Sequence, residues 1–180
     1  MSNAALSHIG LIARTVATIG ALAIAGSSSA QPLLASQFPA RVLVAQNVER
    51  AAVGLPPLVW DNALGTAAGI YAAQMAATGL FQHSDRSGRR GIGENLWFGT
   101  HGAYPVESMV AAWASEKRMF VPGVFPNVSR TGNWGDVGHY TQMIWPTTQR
   151  VGCALASTAR FDYLVCRYSP AGNIDGRPVP

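Results

Sequence analysis

Val151-Gly152-Cys153-Ala154-Leu155 and Phe161-Asp162-Tyr163-Leu164-Val165-Cys166-Arg167-Tyr168 are two apolar runs separated by the small and polar stretch Ser157-Thr158-Ala159-Arg160. Runs of this composition, bounded by turn residues, predict the two strands of a hairpin. Centring the turn between Ala159 and Arg160 sets Cys153 directly opposite Cys166, where cross-strand Cα separations of about 4.5–5.5 Å admit a disulfide. A metal site built on these cysteines is the weaker reading, since no second pair exists to complete a tetrahedral shell.

Working outward toward the N-terminus, the pattern changes from strand to helix. Phe38 to Val53 carries Val42, Leu43, Ala45, Val48, Ala51 and Ala52 at helical spacing and is closed by Gly54 and Pro56-Pro57. Asp61 is placed to cap a second helix through Leu64, Ala67, Ala68, Tyr71, Ala72, Met75 and Ala76, ending at Gly79. Its many alanines predict close helix packing. Pro105 opens a third helix over Val106 to Met119, and a short fourth is expected around His139 to Ile144. From Phe81 to Tyr104 the chain reads as loop with at most short strands, and Phe120 to Gly138 is rich in Gly, Pro and Asn. With no repeat and no linker, these elements predict one α+β domain, helices packed on a small antiparallel sheet.

The chain has 180 residues, a length suited to a single domain. With 48% apolar and 12% charged residues it is neither a disordered chain nor a nucleic-acid-coating one. Arg86, Arg89 and Arg90 form the one local basic cluster, which lacks the density of a nucleic-acid arm and reads as a solvated loop. Lys117 is the only lysine, so phosphate loops and Schiff-base chemistry have almost no candidate. Residues 1–30 hold Arg14, a short apolar run and Ser28-Ser29-Ala30, the pattern of a secretory signal peptide cleaved before Gln31. The run is well short of the roughly 20 apolar residues of a spanning helix, which argues against a retained anchor, and no later segment could span. Removal of the leader leaves a lead over 31–37, a domain over 38–180 and a net charge of +3, from 12 cations (11 arginines and Lys117) against 9 acids. Export to an oxidising extracellular or periplasmic compartment agrees with a persistent Cys153–Cys166 bridge.

Three histidines remain: His83, His101 and His139. Taken singly, His83 and His139 each read as an ordinary hydrogen-bonded histidine. Glu94 and Glu116 stand among apolar neighbours, where a carboxylate needs a partner or titrates higher, and a histidine would serve. For Glu116, beside Lys117 and Arg118, the default is a surface acid. No His-Glu-x-x-His, Gly-x-Ser-x-Gly or phosphate-loop motif is present, and Ser84 beside His83 makes no triad.

Gly138-His139-Tyr140-Thr141-Gln142-Met143-Ile144-Trp145 and Tyr168-Ser169-Pro170-Ala171-Gly172-Asn173 nevertheless resemble, in order, the two signatures of the CAP or SCP superfamily, which comprises cysteine-rich secretory, antigen 5 and pathogenesis-related 1 proteins. Gly54 to Asp61, His83-Ser84, Gly93-Glu94-Asn95-Leu96 and Trp113 with Glu116 extend the resemblance across nearly the whole exported chain. It implies an α-β-α sandwich and a central cleft of His83, Glu94, Glu116 and His139, in which His83 and His139 hold a divalent metal, usually zinc. A metal-free cleft with His to Glu hydrogen bonds is equally consistent with these residues. Val137 stands where better-known members often carry a cysteine, and the cysteine-rich tail of animal members is missing, which fits a minimal, bacterial-type member. Asn127-Val128-Ser129 matches a glycosylation sequon, of consequence only in a eukaryotic secretory pathway.

The favoured function is therefore that of a secreted, monomeric, non-catalytic module binding a lipid, a sterol, or an envelope or host component. The alternatives are a metal-assisted hydrolase with Glu94 or Glu116 as general base, and a protein-interaction domain with a purely structural cleft. No catalytic residue is assigned in the favoured reading.

Overall fold

The structure, a computed structural model, describes the backbone from Ala30 to Pro180 and the side chains from Gln37 onward. The expected leader over 1–30 lies outside the described residues apart from Ala30. In chain order the elements are α1 (Ala30–Ala52), β1 (Val59–Trp60), α2 (Asn62–Thr78), β2 (Gly93–Thr100), α3 (Val106–Ala114), β3 (Gly123–Val124), α4 (Gly138–Met143), β4 (Arg150–Ser157), β5 (Phe161–Ser169) and β6 (Pro178–Val179). The first helix starts eight residues before the expected Phe38 and runs through Pro39 over the segment read as a lead. Pro39 is the tenth residue of that helix, an interior position at which proline supplies no N–H to the helical ladder.

The hairpin has the expected register, with Cys153 opposite Cys166 and the two bridged at a Cα separation of 4.1 Å. Asp61 N–H donates to Val151 O, so alternate backbone groups of β4, those of Cys153 included, point toward the β1 side. Cys153 and Cys166 thus form a narrow, non-hydrogen-bonded pair, the closest cross-strand position. The main sheet has the order β1-β4-β5-β2. It is antiparallel except at its β1 edge, where Val59 and Trp60 run parallel to Arg150 and Val151. The stretch read as loop contains the eight-residue strand β2, paired along its whole length with β5.

Two helical layers cover the sheet. On one face α2 lays Ala68, Tyr71, Ala72 and Met75 against Leu96, Tyr163 and Val165. Asp61 caps α2 by accepting from Leu64 N–H, and Gly79 ends it at φ 71°. The helix comes so close to β4 that a Cβ on Gly152 would lie 2.2 Å from the Gly65 nitrogen. On the other face α1 buries Val42, Gln46, Glu49 and Arg50 as one stripe. Val42 joins Met109, Val110 and Trp113 of α3 and Tyr140 and Met143 of α4 over Val151, Cys153, Leu164, Cys166 and Tyr168. Among the described residues no helix is long and apolar enough to cross a membrane.

Candidate functional site

Strand β2 lies at the sheet edge, and consecutive side chains on a strand point to opposite faces. Glu94 falls on the α2 side with Leu96 and Phe98, while Asn95 falls on the α3 and α4 side. Each anchors a different histidine-bearing segment.

On the α2 side the Glu94 side chain is fully buried. Its Oε1 is 3.0 Å from His83 Nδ1 and accepts from Ser84 N–H at 2.9 Å, and its Oε2 accepts from Ser84 Oγ at 2.7 Å and from Arg167 Nη2 at 3.3 Å. Arg167 is the cross-strand partner of Glu94, and Arg89 Nε stands 3.7 Å from Oε1. Burial alone would push this carboxyl up, but the bonds from His83 and Ser84 and the charge of Arg89 outweigh it and hold the pKa at about 2. Glu94 is an anion across the whole neutral range.

On the other side Glu116 lies in the 3₁₀ turn Ser115–Arg118 that follows α3. It is no free surface acid: it is mostly buried, Oε1 pairs with His139 Nδ1, and Oε2 accepts the backbone N–H groups of His139 and Tyr140 at 2.9 and 3.0 Å. Trp113 stacks on the His139 ring at 5.9 Å between centroids and 15° between planes. Asn95 donates to His139 O at 3.0 Å and so ties the sheet edge to the start of α4.

Both imidazoles therefore present Nδ1 to a carboxylate, which fixes the Nδ1–H tautomer of the neutral ring and leaves each Nε2 unengaged. His83, Glu94 and His139 line one cleft of about 670 Å³, with Glu116 behind His139. His101 is elsewhere, at the turn end of the hairpin, bonded through Nδ1 to Asp162 Oδ1 at 2.8 Å. Burial pushes Asp162 up, but bonds from Ser157, His101 and the Gly102 amide bring it below the usual carboxylate range.

Residue-by-residue reasoning from the chain missed Arg89, Arg167 and Trp134. Arg167 is detectable as an arginine inside an apolar strand, whereas Arg89 and Trp134 carry no local signal. Arg86 and Arg90 are solvated, as expected of this cluster, while Arg89 is not, and all three line the cleft. Arg89 is folded inward, its side chain 11% exposed, with Nη1 donating to Ile92 O. Burial lowers its pKa, and the charges of Arg86 and Arg167 lower it further against the pull of Glu94.

The donor set is compatible with a divalent ion only in part. Two imidazole Nε2 atoms backed by carboxylates are the usual chemistry of zinc-binding histidine. Among the described residues, however, no group of three or more His, Cys, Asp or Glu side chains is placed to share one ion. Both glutamates are occupied by other donors.

Residues 43–168 match the model of the Cysteine-rich secretory protein family. Pathogenesis-related protein PR-1 of Medicago truncatula is 36% identical over 141 residues, which cover 77% of this chain and 77% of that protein. Pathogenesis-related protein 1C of Nicotiana tabacum is 37% identical over 137 residues, 75% of this chain and 76% of that one. The crystal structure of NaASP2 with Zn2+ aligns at a TM-score of 0.65 and 25% identity, covering 78% of this chain and 83% of that one.

Proposed function

Since the chain belongs to the cysteine-rich secretory protein family, we propose that it is an exported, non-catalytic binding module whose central cleft takes up a divalent ion and an extracellular ligand. The observation that carries this reading is the saturation of both carboxylates. A general base near neutral pH needs a pKa near 7 and a free lone pair aimed at a water. Glu94 has neither, being fully buried, bonded to four donors and held at about 2. Glu116 spends its oxygens on His139 and two backbone amides. Among the described residues that line the cleft Ser84 carries the one hydroxyl, and it donates to Glu94 rather than to a histidine, while both cysteines are bridged.

A divalent ion would be held by Nε2 of His83 and His139 and would give the cleft a positive centre for a ligand's oxygen atoms. The crystal structure of NaASP2 with Zn2+ supports zinc as that ion. Two protein ligands, against the three or four of tight sites, make it an exchangeable ion. The single disulfide supports the reading of a minimal, bacterial-type member. A separate hollow of about 630 Å³ lined by Phe38, Trp60 and Leu155 supports lipid or sterol uptake as a second binding role.

The test is titration calorimetry of the purified protein with zinc, repeated on the His83→Ala/His139→Ala variant, alongside incubation of both with a peptide library. Weak zinc binding that the double variant loses, with no cleavage by either protein, is the expected result. Zinc-dependent cleavage abolished in the variant would overturn the non-catalytic assignment.

A further inference from the structure

We infer that the central cleft selects acidic saccharides, with Arg86 and Arg90 receiving the acid groups and Trp134 the ring. This rests on the reading of the cleft as a binding site and narrows its ligand to one chemical class. The arginines of the rim divide into two kinds. Arg89 and Arg167 are folded inward beside Glu94, two cations around one buried carboxylate, with Arg167 Nε left without a hydrogen-bond partner among the described residues. Arg86 and Arg90 also line the cleft but are exposed, and among the described residues neither guanidinium has a hydrogen-bond or ion-pair partner. Asp85, the neighbouring acid, turns its carboxylate back onto the Ser87 amide at 2.8 Å. That leaves Asp175 as the one uncommitted carboxylate lining the cleft against two uncommitted cations. Two uncommitted guanidinium groups lining one cleft match carboxylate or sulfate oxygens.

Trp134 supplies the second half of the site. It lines the same cleft and is 40% exposed, so part of the indole is open to a ligand there. It is nonetheless held in place: Phe125 packs on it at 5.2 Å between centroids, and a Cβ on Gly138 would come within 3.1 Å of the ring. An indole held in place yet partly exposed, lining the same polar cleft as two free guanidinium groups, fits a sugar ring that carries an acid. The amides of Asn95, Gln142 and Asn173 are committed to internal bonds, so little is left to recognise a neutral sugar. A nucleoside phosphate fits less well. Gly91 O and the Ala171 N–H bond each other, and the Gly172 N–H is taken by Gln142, so these amides are not available to cradle a phosphate.

Affinities are measured by calorimetry for oligogalacturonate (carboxylate), a sulfated dextran oligomer (sulfate), neutral dextran of equal length and a nucleoside monophosphate. One or both acidic oligomers should bind at least about 10-fold more tightly than neutral dextran, a difference that shrinks as salt screens the exposed pair. Which of the two binds more tightly identifies the oxyanion. Arg86→Ala/Arg90→Ala should lose about 10-fold or more, and Trp134→Ala should weaken binding in a sample whose circular dichroism shows it still folded at the assay temperature. Equal affinity for neutral and acidic oligomers, a nucleotide preferred over both, or unaltered binding in either variant would overturn the inference. Zinc titration and product analysis on the same samples keep it separable from the broader reading. Saccharide failure with zinc binding intact refutes only the ligand class, and saccharide cleavage refutes only the non-catalytic role.

Discussion

Replacing Glu94 by Gln removes the charge that two inward-folded guanidinium groups face while preserving size. The carboxyl titrates at about 2 in the folded protein against 4.5 for its unperturbed value. Its folded pKa is depressed, so its contribution is complete above the unfolded value and is lost as the pH falls through the folded one. A difference of about 2.5 units at 1.36 kcal/mol each makes this contribution about 3 kcal/mol at pH 7 and about 1 kcal/mol at pH 3. Losing the partner of a buried charge is worth the same order, about 3–5 kcal/mol, and Arg89 and Arg167 are only 11% and 15% exposed. Urea denaturation of the protein and of Glu94→Gln at pH 7, 5, 4 and 3 gives the difference directly, because other carboxyls titrate in both. A difference near 3 kcal/mol at neutral pH that shrinks below pH 4.5 is expected. A difference under about 1 kcal/mol at pH 7, or one that does not change with pH, would refute the assignment of Glu94 as the anion of a buried charge cluster.

Arg50→Met should cost about 3 kcal/mol or more, because the buried guanidinium donates to the carbonyls of Pro56, Met143, Trp145 and Thr148, all orphaned by the change; a thermal melt reads this. Gly152→Ala should destabilise severely or abolish soluble expression, since the new methyl meets the backbone of α2 at Asp61, Leu64 and Gly65 rather than a movable side chain. Cys153→Ala/Cys166→Ala should lower stability by about 3 kcal/mol in a urea titration, the loop-closure value for a short loop. In the unaltered protein both sulfurs are buried, so a thiol reagent with mild reductant should label them only after denaturant is added.

The legible parts of this fold are those set by short-range chemistry. The Cys153–Cys166 register followed from strand alternation and one turn, and the α2 ends from a capping aspartate and a glycine. Strand β2 was not legible. It is an edge strand with glycines at both ends, and Gly99 exists to admit the Trp97 ring, which a Cβ there would meet at 2.2 Å. Its Glu94, Leu96, Phe98 alternation was the available signal. The parallel pairing of β1 rests on backbone bonds from Val59 and Asp61, which no side-chain pattern encodes. For the site, the pairing of each histidine with its glutamate spans 11 and 23 residues, distances over which only a motif resemblance reaches. The surroundings of Glu94 were opaque because Arg167 arrives from a strand 73 residues away.

The two His–carboxylate pairs sit on opposite faces of one edge strand, joined through the adjacent residues Glu94 and Asn95. A ligand that touches both imidazoles therefore closes a circuit through all three layers of the sandwich. Such a ligand would oppose parting of the layers along that seam by an amount set by its concentration and affinity. The cleft would then act as a clasp, setting how firmly the folded protein holds together as much as what it binds.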